Sequence, residues 1–224
     1  MENNQFPSIA IDGPAASGKS TAAKRVAKAL GFVYVDTGAM YRAFTLYLIE
    51  SGLDPKAEAS SRKLLPSFAV REDERGHVFL NGKDVTDRVR KPDVSSLVSY
   101  SCAFGFVRER MVEIQKDMAK SASVVMDGRD IGTVVLPDAA LKIYQTASSD
   151  ARAMRRYKEN IRRGIPSDLA QIKEEIEKRD YLDSHREVSP LKPAEDAILL
   201  DTSDMTIEEE VDKILSLYKE KTGK

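Results

Sequence analysis

The chain has 224 residues, room for one large domain or two small ones, and its 42% hydrophobic content is enough for a sizeable core and too much for a disordered chain. Charged residues make up 32% of it, yet the net charge is only −1, which argues against a globally basic nucleic-acid binder. The single cysteine, Cys102, excludes a disulfide framework within the chain, and His77 and His185 are too few to build the usual zinc sites.

Ser8–Asp12 is a continuous apolar run of the kind found in strands covered on both faces. It leads into Gly13-Pro14-Ala15-Ala16-Ser17-Gly18-Lys19-Ser20, a full G-x-x-x-x-G-K-[ST] match, and a helical pattern follows over 18–30. A second run at 32–36 enters a helix over 38–51. The stretch 62–91 then breaks the alternation. Within it 67–71 and 76–80 are short β-like runs, and Asn81-Gly82 is a strong turn signal, so a small antiparallel insertion is expected. A helix over 107–120, runs at 123–127 and Leu141–Thr146, helices over 149–163 and 167–183, a run at 197–201 and a helix over 206–219 complete the chain. No apolar run approaches the ~18 residues of a membrane-spanning helix, and the opening MENNQFPS shows no secretory pattern. Strands alternating with helices predict parallel βαβ units in a three-layer α/β domain.

The glycine-rich match carries its own chemistry. Gly13 and Gly18 let the backbone curl so that successive N–H groups face inward as an anion nest. The helix starting near Gly18 aims its positive end at the same point. Lys19 can reach the β- and γ-phosphates, and the Ser20 hydroxyl can ligate Mg²⁺. With Pro14, Ala15, Ala16, Ser17 and Thr21 completing the loop, it is expected to bind a nucleoside triphosphate.

A guanine-specific GTPase would carry Asn-Lys-x-Asp, and the near match Asn81-Gly82-Lys83-Asp84 falls in a turn. A motor or AAA-type ATPase needs more chain. A small kinase remains, and its second substrate should mark the other strand ends, where open parallel sheets bind ligands. Four runs end in aspartate: Asp12, Asp36, Asp127 and Asp201. For Asp12 and Asp201, capping the helix or turn that follows is the simpler role. Three further marks are Asp36-Thr37-Gly38-Ala39-Met40-Tyr41-Arg42, Asp127-Gly128-Arg129-Asp130, and the distal group Arg179, Asp183 and Arg186. Arginine suits such places because its planar fork binds phosphate bidentately and keeps its charge when partly buried. Tyr34 and Tyr144 read as strand packing, Tyr41 as core, and Cys102 as an inert thiol.

In order and spacing these segments resemble the bacterial cytidylate kinases over nearly the whole chain. The resemblance rests on GPAASGKS, DTGAMYR, FLNGKDVTDRVR, VMDGRDIGTVVLPDA, a KRD…REVSPL segment and LLDTS. Thr37 stands where the family often has Ser, and either presents a hydroxyl. The resemblance implies a P-loop kinase fold in one domain, 1–224, with a five-stranded parallel sheet, an NMP-binding insertion over 62–100 and a helical lid over 150–168. It implies transfer of the γ-phosphoryl group of ATP, with Mg²⁺, to CMP or dCMP. Arg42, Arg129 and Arg186 would clamp the acceptor phosphate, Arg179 and Asp183 would contact the sugar, and Ser99, Arg108 and Asp130 the cytosine, with Thr37 also in the CMP site. Asp127 would hold the Mg²⁺ ion through water beside Ser20, with Asp36 the competing candidate. Of the lid arginines Arg152, Arg155, Arg156, Arg162 and Arg163, the candidates for the transferring group are Arg156 and Arg162, acting beside Lys19 and Arg129.

The chemistry is coherent on its own terms. A phosphate oxygen is mostly ionised near neutral pH, its second pKa being about 6, so no general base is required and none is evident. A carboxylate such as Asp130 can accept from the exocyclic amine of cytosine while Arg108 donates to the ring acceptors. Asp130 has a plainer alternative, a salt bridge that orients Arg129. Kinases of UMP, AMP or a hydroxyl substrate such as shikimate remain open, as does a P-loop regulator or ribosome-associated ATPase. The expectation is a cytoplasmic monomer whose partners are ATP and CMP or dCMP, with no nucleic acid and no membrane.

Overall fold

The computed structural model describes residues 6–73 and 76–223. The chain opens with β1 (Ser8–Asp12), α1 (Lys19–Leu30), β2 (Val33–Asp36), α2 (Thr37–Glu50) and α3 (Glu58–Leu64). Three short strands follow, β3 (Val70–Glu72), β4 (Val78–Leu80) and β5 (Lys83–Asp84), then the short helices α4 (Pro92–Ser95) and α5 (Val98–Ser101). The rest is α6 (Gly105–Ser121), β6 (Val124–Gly128), β7 (Leu141–Thr146), α7 (Ser149–Arg162), α8 (Leu169–His185), β8 (Ile198–Asp201) and α9 (Ile207–Thr222).

The larger sheet has five strands in the order β2-β6-β1-β7-β8, every pairing parallel. Each strand lies within one residue of the run that announced it. All five residues of β1 and of β6 are buried, which is why these segments read as unbroken apolar runs. One face packs on α1 and α9 through Ala22, Val26, Ile214 and Tyr218. The other packs on α2 and α6 through Phe44, Leu48, Val107 and Met111. From β1 the chain runs to the edge strand β2 and returns to β6 on one side, then crosses to β7 and β8 on the other. The phosphate-loop strand therefore sits at the reversal of strand order, with every carboxyl end on one side.

The insertion forms a second sheet, β3-β4-β5, antiparallel throughout. Asn81 and Gly82 join β4 to β5 with φ of 47° and 85°, the left-handed pair that the tightest hairpins require. Phe68, Val78, Leu80, Val85, Val89 and Val94 share one apolar cluster with α2, so the 62–100 stretch buries its hydrophobic side on the main domain. The expected strand at 67–71 shortens to Val70–Glu72 because Pro66 sets 65–67 into a 3-10 turn. Helices α3, α4 and α5 were not expected, and at one or two turns each they are too short to show a 3.6-residue period.

Candidate active site

Between β1 and α1 the loop takes its shape from residues that tolerate left-handed backbone. Gly13 has φ 156°, and a Cβ placed there would lie 2.0 Å from the Gln145 carbonyl oxygen. Ala16 and Gly18 have φ of 58° and 95°. The outward carbonyls are tied down by side chains. Ser17 O accepts from Gln145 Nε2 and from Arg155 Nη1, each at 2.8 Å, while Ala15 O accepts from Arg152 Nη1 at 3.1 Å. Asp180 Oδ1 accepts the Ala15 N–H at 3.1 Å. No backbone hydrogen bond among the described residues takes up the N–H groups of Ala16, Ser17, Gly18, Lys19 or Ser20. Lys19 is buried and donates to Pro14 O at 3.0 Å. Burial, aided by Arg129, brings its pKa down to about 7 against the pull of Asp127.

At the end of β6, Asp127 accepts from Ser20 Oγ at 2.7 Å and from Tyr34 OH at 2.8 Å. Burial, reinforced by Asp36, pushes its carboxyl above the usual range. Thr37 Oγ1 donates to the Asp127 carbonyl at 2.6 Å. Asp36 is committed elsewhere. It caps α2 by accepting the Ala39 N–H at 2.8 Å and pairs with Arg42 at 3.1 Å and Arg90 at 3.0 Å. Burial alone would raise it, but the two guanidinium groups hold it below its ordinary value. Glu72, from β3, accepts the Asp36 N–H at 3.0 Å, and burial with the Asp36 charge pushes its pKa up to about 8.

A cleft of about 530 Å³ opens over the loop, lined by Ala15 to Thr21 and by Arg42, Asp127, Arg129, Arg156 and Arg179 among others. Behind it lies a cavity of about 40 Å³ whose walls include Thr37, Ser99, Arg108, Arg129, Asp130, Arg179, Asp183 and Arg186, all the expected acceptor residues except Arg42. Gly38, Gly128, Arg129 and Arg179 line both spaces. The cavity is small, and the charges on its walls pair with one another. Arg108 Nη2 meets Asp130 Oδ2 at 2.5 Å, and Arg129 Nε meets Asp183 Oδ2 at 2.8 Å. Arg179 and Arg186 each lie 4.0 Å from the same Asp183 carboxylate. Burial, with Arg129 beside it, lowers Arg179 to about 10, while the arginines overcome burial to keep Asp183 low. Tyr41 faces this cavity with a buried hydroxyl that has no hydrogen-bond partner among the described residues, under the Arg108 guanidinium.

The arginines of α7 divide by partner. Arg152 is buried on Asp180, Ala15 O and Ala147 O. Arg155 joins Ser17 O to Thr202 and lies 3.5 Å from Glu210. Arg163 pairs with Glu159 at 3.0 Å. Arg156 and Arg162 line the cleft, and neither makes an ion pair among the described residues.

The cytidylate kinase family model matches residues 9–220. A cytidylate kinase of Oceanobacillus iheyensis is 54% identical over 211 residues, covering 93% of this chain and 92% of the relative. One from Bacillus cereus is 53% identical, covering 94% and 95%. The chain belongs to the cytidylate kinase family. An uncharacterized protein of Eubacterium ventriosum has a solved structure that covers 96% of this chain and 99% of its own at 14% identity and a TM-score of 0.52, a likeness of fold alone.

Within this family framework the structure corrects several expectations. Asp130 does not orient Arg129. Its partner is Arg108, and Arg129 is held by Asp183. Asp36 is paired with Arg42 and Arg90 and caps α2, whereas Asp127 is the carboxylate bonded to the Ser20 hydroxyl. Asp201 does cap the following turn, accepting the Ser203 N–H at 2.9 Å, but Asp12 caps a turn of another strand connection, accepting from Ile131 and Gly132. Tyr34 is more than packing, because its hydroxyl holds Asp127. Arg90, Glu72, Gln145, Asp180 and Glu210 were not singled out. Arg90 and Asp180 lie within quoted segments and the other three outside them, and only the folded chain brings each to the loop or to Asp36.

Proposed function

We propose that this chain transfers the γ-phosphoryl group of ATP to CMP and dCMP, forming CDP and dCDP, with the donor in the larger cleft and the acceptor in the inner cavity. The observation that carries this is relatedness to cytidylate kinases above half identity across nearly all of both chains. The geometry supports it. Two spaces meet at Gly128 and Arg129, and the walls they share are where a group could pass from one ligand to the other.

The free N–H groups of residues 16–20 and Lys19 would hold the triphosphate. Arg129 and Arg186 would bind the acceptor phosphate with Arg42, which must first leave Asp36. Arg179 and Asp183 would contact the sugar, Asp183 exchanging its arginines for sugar hydroxyls. Arg108 and Asp130 would read the cytosine edge with Ser99 near. Thr37 would act through its bond to the Asp127 backbone and its place on the cavity wall. The acceptor oxygen arrives already ionised, so catalysis reduces to aligning two anions and neutralising their repulsion. Arg156 and Arg162 are placed to join that task when α7 and the 163–168 loop close as a lid. We assign the lid to 150–168 and the acceptor-side insertion to 62–100.

A hydroxyl and a carboxylate side by side at Ser20 and Asp127 fit Mg²⁺, which takes hard oxygen ligands and keeps much of its water. Bound with the triphosphate, Mg²⁺ would supply charge neutralisation at the transferring group. Ser20 would hold it directly and Asp127 through water. No helix among the described residues is long and apolar enough to cross a membrane, and the lone buried Cys102 suits a reducing compartment, so we place the enzyme in the cytoplasm.

The test is ADP release from Mg·ATP with CMP, dCMP, UMP, AMP, GMP, shikimate or no acceptor. Strong stimulation by CMP and dCMP is expected. Stimulation by another acceptor alone, or by none, would overturn the assignment.

A further inference from the structure

Asp12 ends β1 and is the last residue before Gly13 of the phosphate loop. In the sheet register it lies opposite Gly128, and the chain leaving Gly128 runs through Arg129 and Asp130 into a single π-helical turn, Ile131–Val135. The first N–H groups of such a turn have no partner within it. Asp12 supplies both acceptors: Oδ1 takes the Ile131 N–H at 2.8 Å and Oδ2 the Gly132 N–H at 2.7 Å. The carboxylate is 4% exposed, so these bonds are shielded from water. The far end of the same turn closes on itself, with Val134 N–H donating to Asp130 O at 2.9 Å and Leu136 N–H to Ile131 O at 2.7 Å. One residue thus stands covalently next to the donor loop and clamps, by two hydrogen bonds, the turn that carries Arg129 and Asp130.

We propose that Asp12 is a positioning residue that sets the Arg129–Asp130 turn against the phosphate loop, and so fixes the spacing and orientation of acceptor relative to donor. This rests on the function proposed above. A carboxylate suits the task better than an amide or hydroxyl, because both its oxygens accept and neither can present a hydrogen to an N–H. Loss of one of the two bonds frees the turn to rotate, and Asp130 and Arg129 lie one and two residues before its first clamped N–H. A displacement of about 1 Å at such a point can cost on the order of 10²-fold in rate.

The test is Asp12→Asn, which keeps the shape but turns an NH₂ toward one of the two N–H groups. Gly132→Ala serves as a second variant from the other side, since its methyl would meet Asp12 Oδ2 at 3.4 Å and Lys142 Cδ at 3.2 Å. Initial rates against CMP, UMP and ATP would be combined with amide hydrogen exchange at Ile131 and Gly132. Expected for both variants are faster exchange at these amides, a kcat at least about 10-fold lower, a CMP KM raised several-fold with the ATP KM within twofold, and a CMP-over-UMP preference reduced at least about fivefold. Equal changes in both KM values, or an unchanged CMP-over-UMP preference with exchange accelerated, would overturn the proposal and leave Asp12 a cap for stability. If the wild type proved to prefer a different acceptor, the function would fall, and Asp12 would be judged by the same split between that acceptor and ATP.

Discussion

Replacing Asp130 by Asn tests base recognition while keeping one hydrogen-bond acceptor for Arg108. Asp130 and Arg108 form a pair at 2.5 Å with side chains 5% and 2% exposed. Truncation to Ala would leave the Arg108 charge buried without its counter-ion, which costs about 3–5 kcal/mol and would confound activity with unfolding. Asn keeps the volume and one acceptor oxygen for Arg108. It loses the charge-assisted bond to the cytosine amine, about twice the strength of a neutral one, and its amide can turn to donate to the uracil oxygen. The mismatch that now penalises UMP, about 1–3 kcal/mol, is therefore removed. At about 1.4 kcal/mol per factor of ten, the ratio of kcat/KM for CMP over UMP should fall roughly 5- to 150-fold, with the ATP KM unchanged. Coupled ADP-release rates with each acceptor, alongside a thermal melt of each protein, measure this. A ratio within twofold of wild type in a protein that still melts cooperatively would refute the base-reading role and reduce Asp130 to a counter-ion for Arg108.

Tyr34→Phe deletes one of the two donors to the Asp127 carboxylate, a bond to a charged group worth about 1.5–3 kcal/mol; kcat should fall about 10-fold and the Mg²⁺ requirement should rise, while the CMP KM holds. No change would return Tyr34 to packing alone. Tyr41→Phe removes a hydroxyl that is buried without a partner among the described residues, so the melting temperature should hold or rise; a several-fold higher CMP KM, read by titration, would show that the acceptor satisfies it, and an unchanged KM would show that it does not. For Glu72, burial first and the Asp36 charge second raise the folded pKa to about 8 from 4.5. The folded chain therefore holds a proton that the unfolded chain releases. This contribution is present below about pH 4.5 and is lost as pH rises through 8. Glu72→Gln should flatten that window and gain on the order of 3 kcal/mol at pH 8 relative to wild type, measured by urea melts at pH 5 and 8. A constant difference between the two proteins across that range would refute the burial of an ionisable Glu72.

Sequence made legible what depends on local pattern. Strands covered on both faces show as unbroken apolar runs, so the sheet could be placed to within a residue. The phosphate loop announced itself because the backbone path demands Gly13, where a Cβ would lie 2.0 Å from Gln145 O. The walls of the acceptor cavity came from resemblance, and they lie together in the fold. Pairing was not legible. Whether Asp130 holds Arg129 or Arg108 depends on where α6 delivers Arg108, 22 residues back along the chain. Asp12 looked like a local cap because local capping is the commoner use of a strand-end aspartate, and its partners lie 119 and 120 residues away. Arg155 and Arg156 are adjacent and both line the cleft, yet the helix turns only Arg155 onto Ser17 and Thr202.

Guanidinium groups and carboxylates pair unequally across the centre. Arg129, Arg179 and Arg186 all lie within 4.0 Å of Asp183, and Arg42 and Arg90 share Asp36. Each carboxylate holds more than one guanidinium group, so positive charge is in excess. That excess helps burial lower Lys19 and Arg179. Under the proposed function, an entering acceptor phosphate would take Arg129 and Arg42 from their carboxylates and supply the missing negative charge. Asp183, released, would then accept from sugar hydroxyls. Phosphate and sugar recognition would be coupled through one side chain, because the same Asp183 oxygens cannot serve Arg129 and a sugar hydroxyl at full strength together. An anion without a sugar would leave Asp183 desolvated and short of partners. A nucleoside without a phosphate would leave Arg129 on Asp183. A complete nucleoside monophosphate would satisfy both sets of groups at once, so the centre would select its acceptor class before Asp130 and Arg108 read the base.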